Sequence, residues 1–325
     1  MSQQQAGLPG QAQRGLRLSK RVRLAIMGYG FCLPWLLGIL VFTAYPTVAS
    51  FAFSFTKYNI LQAPRYIGIH NYVQMFTNDQ RLRISVANSI YYTALSVPLG
   101  MASSLALALL LNARVRFIGI FRTIYYMPTL VPPVAATLLW KVLLEPRQGL
   151  VNALLVRLGL HPLGWFADPK WSKPALLLMS MWGIGSATLI FLASLKEVPA
   201  EMVEAATIDG AGSWRRFWSV TIPMISPVIL FNLVMAVIGS FQVFTAAFVA
   251  GSSGAQMAGG VSGTAGGPLD SLLMYMVYLY AQAFRYFEMG YASAMAVVLF
   301  IVIMILTLLI FRSSGRWVYY EGGVR

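Results

Sequence analysis

The chain has 325 residues, 58% of them hydrophobic and only 10% charged, with a mean hydropathy of +0.68. A soluble domain could not hold so much apolar surface away from water, so composition excludes a free globular protein and points to a membrane. The formal net charge of +14 does not indicate nucleic acid, because Lys and Arg cluster between apolar segments instead of forming one basic stripe.

A bilayer core about 30 Å thick needs about 20 helical residues, and six stretches qualify, near 24–52, 86–111, 118–141, 174–195, 221–249 and 290–311. The expected fold class is all-α, a polytopic six-helix membrane domain over 24–311. Residues 1–23 are a basic tail with Arg14, Arg17, Lys20, Arg21 and Arg23. They resemble a signal peptide's head, but the apolar run that follows is too long for one and reads as a retained first helix. The single cysteine, Cys32, lies in that run, which rules out an intrachain disulfide or a cysteine-based metal cluster. His70 and His161 lie far apart, so no metal-binding motif is expected.

Further along, "MPTLVPP" at 127–133 sets three prolines inside the third crossing. Each removes a backbone donor, which predicts a kink or unwound segment facing the bundle interior; a packing kink with no role would look the same. Residues 251–267 form a Gly/Ser-rich external linker. Leu269 to Phe284 reads as helical, too short and too near the last crossing to count as a seventh. Residues 312–325 are a basic tail.

Short basic connections fix direction. The N-terminal tail, the link with Arg114, Arg116 and Arg122, the loop with Lys196, Arg215 and Arg216, and the tail with Arg312, Arg316 and Arg325 alternate with three longer, less densely basic connections. The positive-inside rule places the former in the cytoplasm, with both termini, in a multi-pass protein of the cell membrane.

Familiar chemistry is missing. No stretch fits the phosphate-cradling pattern G-x-x-x-x-G-K-[ST], no crossing has an acidic residue near its centre, and nucleophile and zinc motifs are absent. No catalytic residue, metal ligand or cofactor site is expected in this chain.

The loop at 197–223 is the polar exception. Pro199 suits a first helical turn, Glu201 and Glu204 suit the positive end of a helix dipole, and Gly210, after Asp209, can end the helix left-handed, giving a helix over 199–209. Glu197, Glu201 and Glu204 would share a face, with Ala205 and Ala206 permitting close approach. Ser213 would cap a second turn presenting Trp214, Phe217 and Trp218. Acidic helix, arginines and rings together make a docking surface, although an amphipathic loop resting on the membrane also fits.

Glu204-Ala205-Ala206, three residues, Gly210, nine residues, then Val220-Thr221-Ile222-Pro223 resembles the EAA loop, E-A-A-x3-G-x9-I-x-L-P, of permease subunits in binding-protein-dependent ABC importers. Val220 and Ile222 are conservative departures. "FCLPWLLG" at 31–38 with Tyr45-Pro46, "GIHNY" at 68–72, "YMPTLVPPV" at 126–134, "GLVN" at 149–152, "SFQVF" at 240–244 and "FEMGYA" at 287–292 resemble the sugar and glycerol-phosphate branch. Together they cover roughly residues 30–310. The Gly/Ser-rich stretch before Gly266-Gly267-Pro268 departs from that branch.

The resemblance implies a type I ABC importer permease-like bundle forming half a pore with a second homologous permease subunit. A cytoplasmic ABC ATPase dimer, carrying ATP and Mg, would receive the loop, and an extracytoplasmic solute-binding protein would deliver a saccharide or glycerol-phosphate derivative. Apart from membrane lipid, no other partner is implied. Candidate pathway residues pair rings for stacking with polar groups for hydroxyls: Asn88, Tyr91, Tyr92, Trp140, Trp182, Asn232 and Gln242. Interhelical packing would use the same residues. A stand-alone channel or secondary carrier would need the helices but not the loop spacing, and an intramembrane enzyme would need catalytic side chains the crossings lack.

Overall fold

The computed structural model describes residues 19–113, 116–252 and 266–319, so most of the Gly/Ser-rich stretch, both distal tails and Arg114 lie outside the described residues. The chain divides into two compact units, residues 1–52 and 53–325. Its described residues in the first form one long helical run, α1 (Lys20–Ile39) and α2 (Tyr45–Phe53, ending at the boundary), joined by a π turn over Leu40–Ala44. Pro46 has no N–H to continue the ladder, and the turn before it widens so that the Tyr45 N–H reaches Leu40 O.

The second unit opens with a short antiparallel pair, β1 (Thr56–Lys57) and β2 (Arg65–Tyr66). Helices α3 (His70–Thr77) and α4 (Gln80–Asn112) follow. Asn71 is buried and its amide donates to Ser54 O (2.8 Å) and Thr56 O (3.0 Å), tying α3 to β1. Asp79 caps α4, accepting from the Leu82 N–H at 2.9 Å.

The third predicted crossing is broken. Helix α5 (Ile118–Tyr126) passes into a 3₁₀ turn at Met127–Leu130, the chain is extended at Val131 and Pro132, and α6 (Pro133–Leu143) restarts it. The proline cluster therefore unwinds the segment as the missing donors require. The break packs on Gly185, where a Cβ would lie 2.5 Å from Tyr125 O. After α7 (Leu150–Arg157), the fourth crossing is a bent pair, α8 (Pro169–Trp182) and α9 (Gly185–Glu197), with 46° between them.

Helices α10 (Ala200–Ile208) and α11 (Ser213–Arg216) lead through a π turn at Phe217–Thr221 into α12 (Ile222–Phe241), then α13 (Thr245–Gly251). Lys141 donates to Val249 O (3.1 Å) and Ser252 O (2.8 Å), closing the C-terminal end of α13 with a cation. The apolar stretch expected as a helix from Leu269 becomes regular only at α14 (Tyr275–Tyr280), continued by a π turn at Ala281–Arg285. Leu269 and Asp270 are both left-handed. Arg81 grips the Asp270 carboxylate with a bidentate pair (3.0 and 3.1 Å) and Asn88 holds its carbonyl (2.8 Å), clamping a conformation that ordinary residues avoid. The last helix, α15, is Met289–Ser314.

Among the described residues, four helical runs are long and apolar enough to span a bilayer, Met27–Phe53, Gln80–Asn112, Ser213–Gly251 and Met289–Ser314, and the bent α8/α9 pair is a fifth if counted as one span. The helical membrane architecture stands, with four or five apolar spans among the described residues in place of the six expected: prolines 128, 132 and 133 break the third crossing as the missing donors predict, and a bend after Trp182, which the sequence did not signal, divides the fourth. One core joins Met75, Leu176, Leu272, Met274 and Met295; a second joins Ala108, Phe191, Leu195 and Ile225 from α4, α9 and α12.

Gly290 begins α15 directly against the hairpin. Its N–H donates to Tyr58 O (3.0 Å), and a Cβ there would sit 2.0 Å from Thr56 O. Gly290→Ala should therefore destabilise the purified chain by about 1–3 kcal/mol, read as a lower thermal midpoint in detergent; an unchanged midpoint would contradict this packing.

Candidate functional site

Helix α10 stands out from the bundle with none of its side chains buried. The sequence explains its ends. Val198 and Pro199 are extended, so α9 stops at Glu197 and α10 begins afresh with Glu201 in its first turn. Glu197 is thus on a different helix from Glu201 and Glu204, and the three-carboxylate face expected from spacing reduces to two.

At the far end Asp209 is the C-cap and Gly210 is left-handed at φ +78°. The Gly210 N–H donates to Thr207 O (3.0 Å) and the Ala211 N–H to Ala206 O (2.9 Å), the paired bonds of a Schellman end. A Cβ at Gly210 would meet nothing within 4 Å, so backbone conformation, not crowding, selects glycine.

The α11 turn is capped by Gly212 backbone and not by the Ser213 side chain; Ser213 Oγ instead accepts from Arg216 (3.2 Å). Arg216 also donates to Thr207 Oγ1, fastening α11 back onto α10. Trp214, Phe217 and Trp218 form a three-ring cluster with centroids 5.3–6.0 Å apart, and Trp214 is 73% exposed. Pro223 lies in the first turn of α12, after the π turn in which the Ile222 N–H reaches Phe217 O. Glu204 and Ala205 are exposed and Ala206 half-buried. Ile208, 87% exposed, joins this surface; as an apolar side chain beside a helix end it gave no sequence signal distinct from core.

The pathway candidates divide. Asn88 is buried and fully engaged, donating to Asp270 O and to Leu273 O (3.1 Å) and accepting from Lys173 (3.0 Å). Lys173 Nζ also lies 4.9 Å from the Tyr91 ring centre, so Asn88, Tyr91 and Lys173 come together. Trp140 and Trp182 meet edge to face at 6.2 Å, and Tyr92 is buried. Asn232 donates within its own helix to Val228 O (3.0 Å), and Gln242, exposed, ends α12.

The polar centre that spacing missed is Asp79. Besides capping α4, it accepts at Oδ2 from the phenols of Tyr278 (2.8 Å) and Tyr291 (2.5 Å). Burial and the carboxylate push the Tyr278 phenol above its ordinary range, so it stays a neutral donor. An Asp directly before a long apolar helix was its only sequence signal.

Apolar spans, broken where prolines fall, with one charged, ring-bearing loop left outside the bundle define a multi-pass membrane protein of the transport-permease type. A crystal structure of a bacterial alginate ABC transporter in complex with alginate pentasaccharide-bound periplasmic protein contains a chain with this fold, at a TM-score of 0.78 and 22% identity, covering 92% of this chain and 98% of that one. Residues 96–318 match the family described as binding-protein-dependent transport system inner membrane component. The chain belongs to that family and is a non-catalytic ABC transporter permease subunit. It is 38% identical to the probable ABC transporter permease protein YesP of Bacillus subtilis, over 97% of this chain and 99% of that one. It is 31% identical to the arabinooligosaccharides transport system permease protein AraP of the same organism (89% and 88% covered). With the lactose transport system permease protein LacF of Rhizobium radiobacter it shares 32% identity (89% and 94%).

A branched side chain at Gly210 would force α10 to unwind or bear about 1–2 kcal/mol of left-handed strain, which corresponds to roughly tenfold faster amide exchange at Gly210 and Ala211. Gly210→Val should show it by hydrogen-exchange mass spectrometry and Gly210→Asn much less. Equal exchange in both variants would contradict the Schellman end.

Proposed function

We propose that this chain forms half of the translocation pathway of an ATP-driven importer for a sugar or sugar-like solute, and that the loop at 197–223 transmits the work of a separate ATPase. Residues 24–311 make the permease domain. Both termini and the loop face the cytoplasm, a direction supported by where the basic residues fall. A second homologous permease completes the pathway, an ATPase dimer binding ATP and Mg receives α10, and an extracytoplasmic binding protein delivers solute. The names of AraP and LacF, and of glycerol-3-phosphate permeases 30% identical to this chain, support the substrate class.

The observation that carries the coupling reading is an exposed two-carboxylate helix, closed at Gly210 and backed by three rings, at the spacing of the EAA loop. Such a surface can enter a cleft on a partner without unravelling from its C-terminal end, because the carbonyls of Ala206 and Thr207 are already met by the Ala211 and Gly210 N–H groups. Closure of the ATPases would pull on α10 and α11, and the continuous run from α11 through the π turn into α12 would carry the displacement into the bundle. Along the pathway the Trp140–Trp182 pair, Tyr91 and Tyr92 offer stacking faces, and Asn88, Asn232 and Gln242 line or brace it.

Glu204→Lys reverses charge on the docking face without touching a span. It should leave membrane insertion intact and weaken ATPase association about tenfold or more, some 1.4 kcal/mol, measured as ATPase copurifying with the tagged chain. Undiminished copurification and uptake would remove the loop from coupling.

A further inference from the structure

At the end of the second unit away from the α10 loop lies a cavity of about 490 Å³. Its floor is the Asp79 centre, with Tyr278, Tyr291 and Gln282, whose amide donates to the Tyr278 phenol oxygen at 2.6 Å. Its rim is different. Lys57 on β1, His70 and Gln74 on one face of α3, Asn78 at the C-cap of α3 and Glu288 before α15 all line it, and among the described residues their side chains make no hydrogen bond. The volume falls within the roughly 300–1,000 Å³ usual for small-molecule sites.

We propose that this cavity is a saccharide subsite on the extracytoplasmic face, where a neutral sugar is held by the chain itself; the proposal rests on reading the protein as a sugar permease. A rigid hydrogen-bonded floor beneath uncommitted amides, a carboxylate, an ammonium and an imidazole suits a ligand that both donates and accepts along its whole edge, as a polyol does. Two carboxylates, Asp79 and Glu288, face one ammonium, Lys57, and this balance disfavours a phosphate or another anion. Two segments distant in sequence converge on it: residues 68–72 supply His70 and Asn71, and residues 287–292 supply Glu288 and Tyr291. Asn71 and Gly290 in those segments are occupied with backbone, which leaves His70 and Glu288 to the ligand. Gln74, exposed on α3, completes the approach.

The chain's single cysteine, Cys32, makes the test direct. Ile67→Cys, at an apolar position lining the cavity that is given no role in holding sugar, in a Cys32→Ser background and purified with its copurifying partners in lipid nanodiscs, is treated with a membrane-impermeant maleimide with and without millimolar lactose or arabinotriose, no binding protein being added. Labelling should slow about threefold when the sugar stands at twice its Kd, and the protection should vanish with Lys57→Ala and Glu288→Gln together. Should Ile67→Cys fold poorly, intrinsic tryptophan and tyrosine fluorescence of the unmodified chain titrated with the same sugars is the second readout, and Leu61→Cys, 88% exposed outside the cavity, should label without protection. Unchanged labelling with both sugars overturns the subsite, as does protection that requires added binding protein, which would make the cavity a protein-docking socket. ATP hydrolysis by the same preparation, stimulated by binding protein and sugar, separates the two readings: if it persists without protection the subsite alone falls, and if both are absent the importer reading falls too.

Discussion

A polar group buried between packed helices is costly unless it is paired, so the few polar side chains that tie this bundle together find their partners within the chain. Asp79 meets that requirement most economically. One oxygen closes the first turn of α4 and the other receives two phenols from α14 and α15, about 200 residues away in sequence. The adjacent Arg81–Asp270 pair and the Asn88 amide extend the same arrangement to the turn before α14. A carboxylate with three donors is held tightly because removing it would strand three polar groups at once, each costing about 1–3 kcal/mol. The helices can then be irregular elsewhere because their order is fixed here.

Prolines and π turns interrupt the helices at Pro46, Pro128, Pro132, Pro133 and Pro223. A proline forfeits one backbone bond, and the chain absorbs the loss by widening the turn before it or by unwinding. Gly185 and Gly290 serve the opposite need, letting backbone approach backbone where no side chain fits. Pro34, Pro98, Pro174 and Pro227 lie within helices that continue past them, so only some prolines end a helix, and the helices between those breaks are the segments able to pivot.

Features set by neighbours in sequence were legible. The prolines at 128, 132 and 133 announced the broken segment, and Gly210 announced the left-handed end of α10. The aromatic spacing 214, 217 and 218 gave the ring cluster, since a helix brings i, i+3 and i+4 together. Features set by distant partners were not. Glu197 satisfied the same spacing rule as Glu201, but an extended Val198-Pro199 intervenes and the rule lapses across it. Ser213 has the chemistry of a cap, yet the helix starts one residue earlier and its hydroxyl turns to Arg216. Nothing local to Asp79 reveals Tyr278 or Tyr291, and nothing local to Asn88 reveals that its amide would be spent on the Asp270 turn. Ring and amide types marked candidates for a pathway; only placement distinguished the engaged from the available.

The length of α4 has a consequence for how solute meets this protein. Thirty-three residues make a helix about 50 Å long, against a hydrocarbon thickness of about 30 Å, an excess that tilt shortens and that an upright helix would carry outside the lipid tails. The charged end, beginning at Gln80 and carrying Arg81 and Arg83, is the part suited to water. In the orientation proposed above that end lies on the side from which solute comes, next in sequence to α3, so an arriving solute would exchange water for protein before any of its path is enclosed by membrane.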